Sequence, residues 1–213
     1  IEPYFRNEDE QMPDSAEFEL PKDIGILPIR NAVAYPGTVT PLAIGRDKSK
    51  ALLAQAETEN AVIGLLTQRN PDVDEPRFKD LYKVGTAAGI LKVIKMPQGT
   101  MHIVVHGLTR FKVVKPTATR PYLRAKVEAL EPRVRASKKL QAMMVNVRNA
   151  ANRVIALSPN VPEEASVLLE NIENPSALAD FLAANLNIEV GIKQELLEEL
   201  DATKRLERIS VLL

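Results

Sequence analysis

The chain has 213 residues and carries 28 basic and 28 acidic side chains, so its formal net charge is zero. No run of about 18 apolar residues occurs, so the sequence predicts neither a membrane span nor a membrane partner. Cysteine is absent, which excludes disulfide bonds, thiol catalysis and cysteine–zinc sites.

Charge is distributed unevenly along the chain. Residues 1–23 hold eight acidic side chains against two basic ones, and residues 79–139 hold fourteen basic against three acidic. Residues 163–201 hold ten acidic side chains against one basic. Because residues 1–20 have little apolar content and no hydrophobic period, we interpret them as an acidic flexible tail. The basic middle and the acidic C-terminal part either attract each other or form two separate solvated faces.

Residues 21–132 are predicted to form a β-rich domain. Alternating or uniformly apolar segments bounded by turn residues are typical of strands. They occur at residues 23–29, 39–45, 61–67, 84–96, 100–105, 108–115 and 122–130. Pro97-Gln98-Gly99 joins two of these segments in the clearest hairpin of the chain. One helix interrupts the series after residue 46, and either Asp47 or Ser49 can cap its exposed amide groups.

After Pro132 the hydrophobic period changes to 3.6 residues, which is typical of amphipathic helices. The first predicted helix covers residues 136–157, and a second begins at Pro162. A third begins at Asn174, which is its N-cap, and a fourth includes residues 192–200. A last helical segment begins at Asp201, which is its N-cap. Runs of strands followed by runs of helices indicate the α+β class, with a helical bundle over residues 133–213. The last helical pattern contains no stop signal, so we expect the native chain to continue.

The sequence offers no candidate for catalysis. Neither GxxxxGK[ST] nor GxGxxG occurs, so we do not expect nucleotide hydrolysis by this chain alone. Ser49-Lys50 and Ser137-Lys138 are adjacent pairs whose side chains point apart on a helix, and there is no GxSxG nucleophile motif. We therefore predict no catalytic residue and no cofactor within the chain.

Metal binding is also not expected. His102 and His106 are the best candidates, but residues four apart on a strand are separated by about 13 Å. Zinc ligands lie about 2 Å from the metal, so we interpret both histidines as ordinary hydrogen-bonding residues. Asp72, Asp74 and Glu75 lack the central glycine of a calcium loop, and we interpret them as a polar turn.

Binding through apolar side chains is the first functional hypothesis. Met96, Pro97 and Met101 flank the hairpin turn, where side chains are usually exposed, and methionine adapts to many partners. Tyr35 and Pro36 lie in a loop that also has an exposed pattern. We predict that these five residues contact substrate.

Nucleic-acid binding is the second hypothesis. It would use basic residues of the β-rich half, namely Arg110, Lys112, Arg120, Arg124 and Lys126. The basic region contains few aromatic side chains on which bases could stack, so this hypothesis ranks below apolar binding.

Short motifs occur in a fixed order along the chain. They are Leu27-Pro28-Ile29-Arg30-Asn31, Tyr35-Pro36-Gly37, Pro41-Leu42-Ala43-Ile44-Gly45-Arg46, Gln68-Arg69-Asn70-Pro71-Asp72, Asp80-Leu81-Tyr82-Lys83-Val84-Gly85-Thr86, Met96-Pro97-Gln98-Gly99-Thr100, Val105-His106-Gly107-Leu108, Asn174-Pro175 and Lys193-Gln194-Glu195-Leu196-Leu197-Glu198. In this order they resemble the N-terminal domain of the Lon family of ATP-dependent proteases. The resemblance covers nearly everything after Leu20.

The resemblance implies a PUA-like β-subdomain and a helical bundle whose long last helix leads to an ATPase module. It implies recognition of unfolded or damaged proteins and degradation tags, and assembly of a homo-hexamer. The AAA+ module, with ATP and magnesium, and the serine–lysine protease module would lie downstream. A stand-alone Lon-domain adaptor, which shares only the β-half, is the alternative. The implied location is the bacterial cytoplasm, with the mitochondrial matrix as the alternative.

Overall fold

The computed structural model describes residues 18–96, 99–157 and 164–213. The chain divides into two compact units, Ile1–Leu130 and Glu131–Leu213. We call them the β-rich unit and the helical unit. Most of the acidic tail predicted over residues 1–20 lies outside the described residues.

Six strands, one α-helix and a short 3-10 helix form the described part of the β-rich unit. They are β1 (Asp23–Ile29), β2 (Val39–Ile44), α1 (Asp47–Glu59), β3 (Ile63–Thr67), the 3-10 helix (Phe78–Asp80), β4 (Val84–Lys95), β5 (Met101–Ala118) and β6 (Leu123–Ala129). The two strands predicted at residues 100–105 and 108–115 are one continuous strand, β5. Irregularities in its pairing with β4 and β6 let this long strand bend while it stays hydrogen-bonded.

The strands of the β-rich unit close into a ring. Their order is β2-β5-β4-β3-β1-β6, and β5 also pairs with β6. Five strands therefore close on themselves, while among the described strands β2 pairs only with β5 and lies at the edge of the sheet. The strand β5 serves both neighbours because residues 101–106 pair with β2 and residues 111–118 pair with β6. The β1–β3 pair is parallel, and the other pairs are antiparallel.

Helix α1 packs against the sheet with one apolar face. Leu52, Leu53 and Ala56 are buried in a core cluster with residues of the strands. The prediction that Asp47 or Ser49 caps this helix is wrong. Arg46 occupies the N-cap position without a side-chain capping bond, because the helical turn already includes Asp47 and Ser49 is buried within it.

Five helices form the described part of the helical unit. They are α2 (Lys138–Leu157), α3 (Glu164–Asn171), α4 (Pro175–Asn185), α5 (Val190–Glu198) and α6 (Ala202–Leu212). The side chain of Asn174 accepts hydrogen bonds from the Ser176 and Ala177 amides, at 2.8 and 3.2 Å. Asp201 caps α6 in the same way, so both predicted N-caps are confirmed. Pro162, the predicted start of the second helix, lies outside the described residues.

The last helix, α6, runs almost to the final residue of the sequence, so its full length stays a prediction. Helix α6 has 11 residues, whereas α2, with 20, is the longest of the described helices. A buried ion pair joins α6 to α4. Nη1 of Arg205 lies 2.9 Å from Oδ1 of Asp180, and Nη2 donates to Oγ of Ser176 at 2.6 Å. Both charged side chains are almost fully buried, so the guanidinium fixes how these two helices pack.

The predicted α+β class, with strands first and helices second, is confirmed. Among the helices that the structure describes, none combines the length and the hydropathy that crossing a bilayer requires.

Candidate binding surface

The turn between β4 and β5 is closed by local backbone bonds. The Met96 amide donates to the Thr100 carbonyl at 2.9 Å, and the Gly99 amide donates to the Met96 carbonyl at 3.0 Å. The Met96 side chain is 44% exposed, as the turn position predicted. Met101 is less exposed than the turn position predicted: it is half-buried, because its side chain packs against the core cluster beneath β5. Pro97, the third residue predicted here, lies outside the described residues.

The Tyr35–Pro36 loop differs from its prediction. Tyr35 is fully buried, so its side chain cannot contact a substrate in the folded protein, and Pro36 is half-buried. The loop lies directly on β5: the Gly37 amide donates to the Gly107 carbonyl at 2.8 Å, and the Gly107 amide donates to the Thr38 carbonyl at 3.0 Å. A β-carbon at Gly107 would lie 2.1 Å from the Tyr35 carbonyl oxygen, so only glycine permits this approach.

Strands β2, β5 and β4 form an apolar surface on the side that faces away from the core. The sequence alone did not predict this surface. Along β2 the buried Leu42 and Ile44 alternate with exposed residues. Along β5 the buried Ile103 and Val105 alternate with the exposed His102 and the half-buried Val104 and His106. The residues that point outward are mostly aliphatic. They are Val39, Pro41, Ala43, Val104, Ile94 and Met96. We call this set the outer face.

Strand register makes the outer face contiguous. Pro41 of β2 pairs with Val104 of β5, which in turn pairs with Lys92 of β4. One row nearer the hairpin turn, Ala43 and Ile94 flank His102 in the same way. Val39 and Ile94, at opposite ends of this surface, are 55% and 42% exposed, which is high for aliphatic side chains of a sheet.

Both histidines of the chain lie on the same side of the sheet, between residues of the outer face. His102 is exposed between Ala43 and Ile94, and His106 is half-buried between Val39 and Gly89. Burial lowers the pKa of His106 below its usual value, so this side chain is neutral at pH 7. The residues that the structure describes contain no group of three or more metal-ligating side chains placed to hold an ion.

The basic residues of the nucleic-acid hypothesis do not form one accessible set. Arg110 is 2% exposed and thus unavailable to a phosphate backbone. Arg124 donates from Nε to Oδ1 of Asp23 at 2.9 Å, so the charge of this guanidinium is partly neutralised within the protein. Lys112, Arg120 and Lys126 are exposed.

The acidic loop after β3 is a polar turn that ion pairs attach to the rest of the unit. Arg30 pairs with Asp74 at 2.9 Å, and Lys48 pairs with Glu75 at 2.7 Å. The guanidinium of Arg46 donates to the Pro28 carbonyl and to Gln68 at the start of the same loop. These contacts pair the carboxylates of Asp74 and Glu75 with basic side chains outside the loop.

Residues 23–213 match the family model of the ATP-dependent protease La (LON) substrate-binding domain. The chain belongs to this family. It is 40% identical to the Lon protease of Anaeromyxobacter dehalogenans over 196 residues, which are 92% of this chain and 23% of that protein. It is also 40% identical to Lon protease 2 of Myxococcus xanthus, over 92% of this chain and 24% of that protein. The chain thus spans about a quarter of the length of these curated relatives.

Solved structures with the same architecture are N-terminal domains of Lon proteins. The N-terminal domain of Mycobacterium avium complex Lon protease has a TM-score of 0.68 and 25% identity, over 90% of this chain and 97% of that one. The Lon N-terminal domain protein from Xanthomonas campestris, at 18% identity and a TM-score of 0.64, shares the fold over 89% of this chain and 97% of that one. The resemblance that the sequence motifs carried is confirmed.

Proposed function

We propose that this chain is the client-capturing domain of an ATP-dependent Lon-type serine protease and that the outer face makes the first contact with unfolded or damaged proteins. The apolar residues that β2 and β4 expose on this side of the sheet, with the half-buried Val104 of β5 between the two strands, carry this proposal. Unfolded chains expose apolar segments that folded proteins bury, so an apolar surface distinguishes the two states without reading a sequence. In the full-length protein, ATP and magnesium would act in an AAA+ module elsewhere in the chain.

The energy available at the outer face suits weak, reversible capture. Covering a half-exposed aliphatic side chain contributes about 1 kcal/mol. Several such side chains, less the cost of association, give a weak single contact. Repetition of the domain around a homo-hexamer would raise the effective concentration of the surface and retain a client that one copy releases.

Replacing exposed aliphatic residues of the outer face tests this proposal. We expect Val39→Thr together with Ile94→Thr to weaken binding of an unfolded protein roughly tenfold, because both changes keep the β-branched shape and add a hydroxyl. The control is Val114→Thr with Val134→Thr, since both residues are exposed but lie outside the outer face. The measurement is binding of one protein in its unfolded and folded forms to this chain.

Equal binding of the folded and unfolded forms would refute the proposal. Equal loss in the test and control variants would instead place the contact elsewhere on the domain. A salt titration with DNA, RNA and the unfolded protein separates this function from nucleic-acid binding. Affinity for nucleic acid falls steeply with the logarithm of salt concentration, whereas apolar capture weakens little.

We also propose that the helical unit contributes to hexamer assembly. Its described surface exposes Leu157 at the end of α2, Val167 and Leu168 on α3, and Val211 on α6. Such residues favour contact with a partner surface. The mass of this chain in solution, measured with and without Leu157→Gln and Leu168→Gln, tests the proposal, and a monomeric mass that both forms share at high concentration would contradict it. We propose the bacterial cytoplasm as the location, with the mitochondrial matrix as the alternative.

A further inference from the structure

Strand β2 has one edge that no other described strand covers, because among those strands it pairs only with β5. The Gly107 amide donates to the Thr38 carbonyl at 3.0 Å, so this pair, directly before β2, is hydrogen-bonded. Bonded and non-bonded pairs alternate along an antiparallel ladder. Val39, Pro41 and Ala43 therefore direct their backbone groups away from β5, and we call these three residues the free edge.

The position of Pro41 agrees with this assignment. Proline has no backbone N–H, and within sheets it occurs where its nitrogen faces away from the ladder. The free edge thus offers three carbonyl groups, but only the N–H groups of Val39 and Ala43. No charged side chain blunts it, because β2 (Val39–Ile44) contains none, and all three edge residues are exposed. Such an edge is a template with which another extended chain can pair.

Pro41 makes a second copy of β2 a poor partner for the free edge. Two copies would pair antiparallel about a twofold axis, and the register that matches the three edge residues sets Pro41 opposite Pro41. Both backbone bonds of that central pair would be missing, because neither proline has an N–H. A client strand without proline loses only one bond, since its own amide still donates to the Pro41 carbonyl. The free edge therefore favours a foreign strand over its own copy.

A strand that pairs with the free edge also extends the outer face. Residues that lie directly opposite each other in a ladder point to the same side of the sheet. Client residues that bond to the free edge therefore place their side chains beside Val39, Pro41 and Ala43, which are members of the outer face. Backbone pairing and apolar contact thus act through the same client residues.

We infer that client segments bind by adding an extended strand to the free edge of β2, so that the chain selects apolar segments able to form a β-strand. This inference rests on the proposed function and adds to it the conformation of the client. An apolar surface alone accepts an apolar segment in any conformation, whereas edge pairing requires alternate amides of the client to be free. An equally apolar segment that contains proline at those positions, or that forms a helix, does not bind in this way.

Methylation of peptide amides tests the inference without changing the protein. The probe is a short capped peptide in which Val and Thr alternate. One version carries N-methyl groups on two successive Val residues, and the other carries them on two successive Thr residues. Alternate amides of a strand point to opposite edges, and the Val side chains belong beside the outer face, so only the first version loses donors that face β2. We expect it to bind at least about tenfold more weakly than the unmethylated peptide, and the second version to bind within about twofold.

Variants of the free edge locate the site. Ala43→Pro removes one donor and should weaken binding of the unmethylated peptide about fivefold, whereas Ala43→Val keeps that donor and is the matched control. Pro41→Val adds a donor at the centre and should strengthen binding about fivefold, a gain that misfolding would not produce. Because the same change restores the bonds between two copies, Pro41→Val is measured at concentrations where it is monomeric.

The outcomes separate this inference from the proposed function. Equal affinities of the two methylated versions would overturn the inference and leave apolar capture standing, as would an unfolded protein that binds when the peptide does not. A methylation pattern that holds while Ala43→Pro and Pro41→Val change nothing would overturn the assignment to β2. Dimerisation of the unchanged chain that Ala43→Pro abolishes would also overturn it, by making a second copy the occupant. If neither the peptide nor an unfolded protein binds, the proposed function itself fails.

Discussion

The β-rich unit and the helical unit are each stabilised internally by a different kind of contact. The β-rich unit depends on close packing of one backbone segment on another. An example is the loop at Tyr35, which lies directly on Gly107 of β5. The ion pairs Arg30–Asp74 and Lys48–Glu75 lie at the surface of that unit. In the helical unit, a fully buried ion pair joins two helices. The β-rich unit therefore depends on shape, whereas the packing of α4 and α6 depends on a directional charged contact.

Removal of one partner of the buried ion pair should have the largest effect. We expect Arg205→Met to destabilise the helical unit by about 3–5 kcal/mol, because Asp180 loses the guanidinium that neutralises it within the core. Denaturant unfolding followed by circular dichroism measures this change. The control is Arg208→Met, which breaks the exposed pair with Glu195 and should cost less than about 1 kcal/mol. Similar losses in the two variants would contradict the importance of burial.

A change of shape at Gly107 should have the next largest effect, in the β-rich unit. We expect Gly107→Ala to cost about 1–3 kcal/mol, because the added methyl group meets the Tyr35 carbonyl oxygen and the loop must move. Gly45→Ala is the matched control, since no atom lies within 4 Å of its added β-carbon. The measurement is the unfolding midpoint of each variant compared with that of the unchanged chain. A Gly107→Ala protein as stable as the Gly45→Ala control would show that the loop adapts.

Loss of the cap of α6 should have a smaller effect on the helical unit. Asp201 accepts hydrogen bonds from the Thr203 and Lys204 amides, at 2.9 and 3.2 Å. The Lys204 bond is the main cause of the lowered pKa of this carboxyl. Asp201→Ala should cost about 1 kcal/mol, whereas Asp201→Asn keeps the cap at neutral pH.

The lowered pKa of Asp201 also fixes the pH dependence of its contribution. The stabilisation is present above the pKa of the unfolded chain, near 4, and is lost as the pH falls through the lower folded value. Unfolding of the unchanged chain and of both variants at pH 7 and pH 3 tests this dependence: the advantage of the unchanged chain over Asp201→Asn and Asp201→Ala should shrink at pH 3. Equal stabilities of all three chains at pH 7 would show that Asp201 contributes nothing as a cap.

Acidification should have the smallest effect on the fold, and in the β-rich unit it should act through His106. Because burial lowers the pKa of His106, the unfolded chain binds its proton more readily than the folded one. The free energy of unfolding should therefore fall as the pH drops below about 6.5. His106→Gln should flatten this slope between pH 7 and pH 5 in urea unfolding, and an unchanged slope would assign it to other groups.

Features that depend on neighbours along the chain could be predicted from the sequence, and features that depend on strand pairing could not. Asn174 and Asp201 were identifiable as caps because a cap bonds to amides two and three residues later. The exposure of Met96 followed from the turn beside it. The burial of Tyr35 could not be predicted, because it depends on Gly107, which is distant in the sequence and adjacent in the fold.

The outer face shows the same limit. The alternation along β2 was visible in the sequence, and it indicated which side of the strand faces outward. Which residues of β5 and β4 continue that surface depends on a register that irregular pairing shifts between Ile90 and Lys92. A surface formed by three strands therefore needed the structure, although each strand had been located.

Under the proposed function, the position of β5 in the ring has a consequence for the entropy of client binding. This strand is hydrogen-bonded to β2, β4 and β6, so the surface it carries is preorganised and loses little conformational entropy on contact. Nearly all of the ordering cost would then fall on a client, whose segment would have to stiffen to lie flat. Under the proposed function, the affinity of a single copy would therefore be set mainly by how readily the client segment straightens.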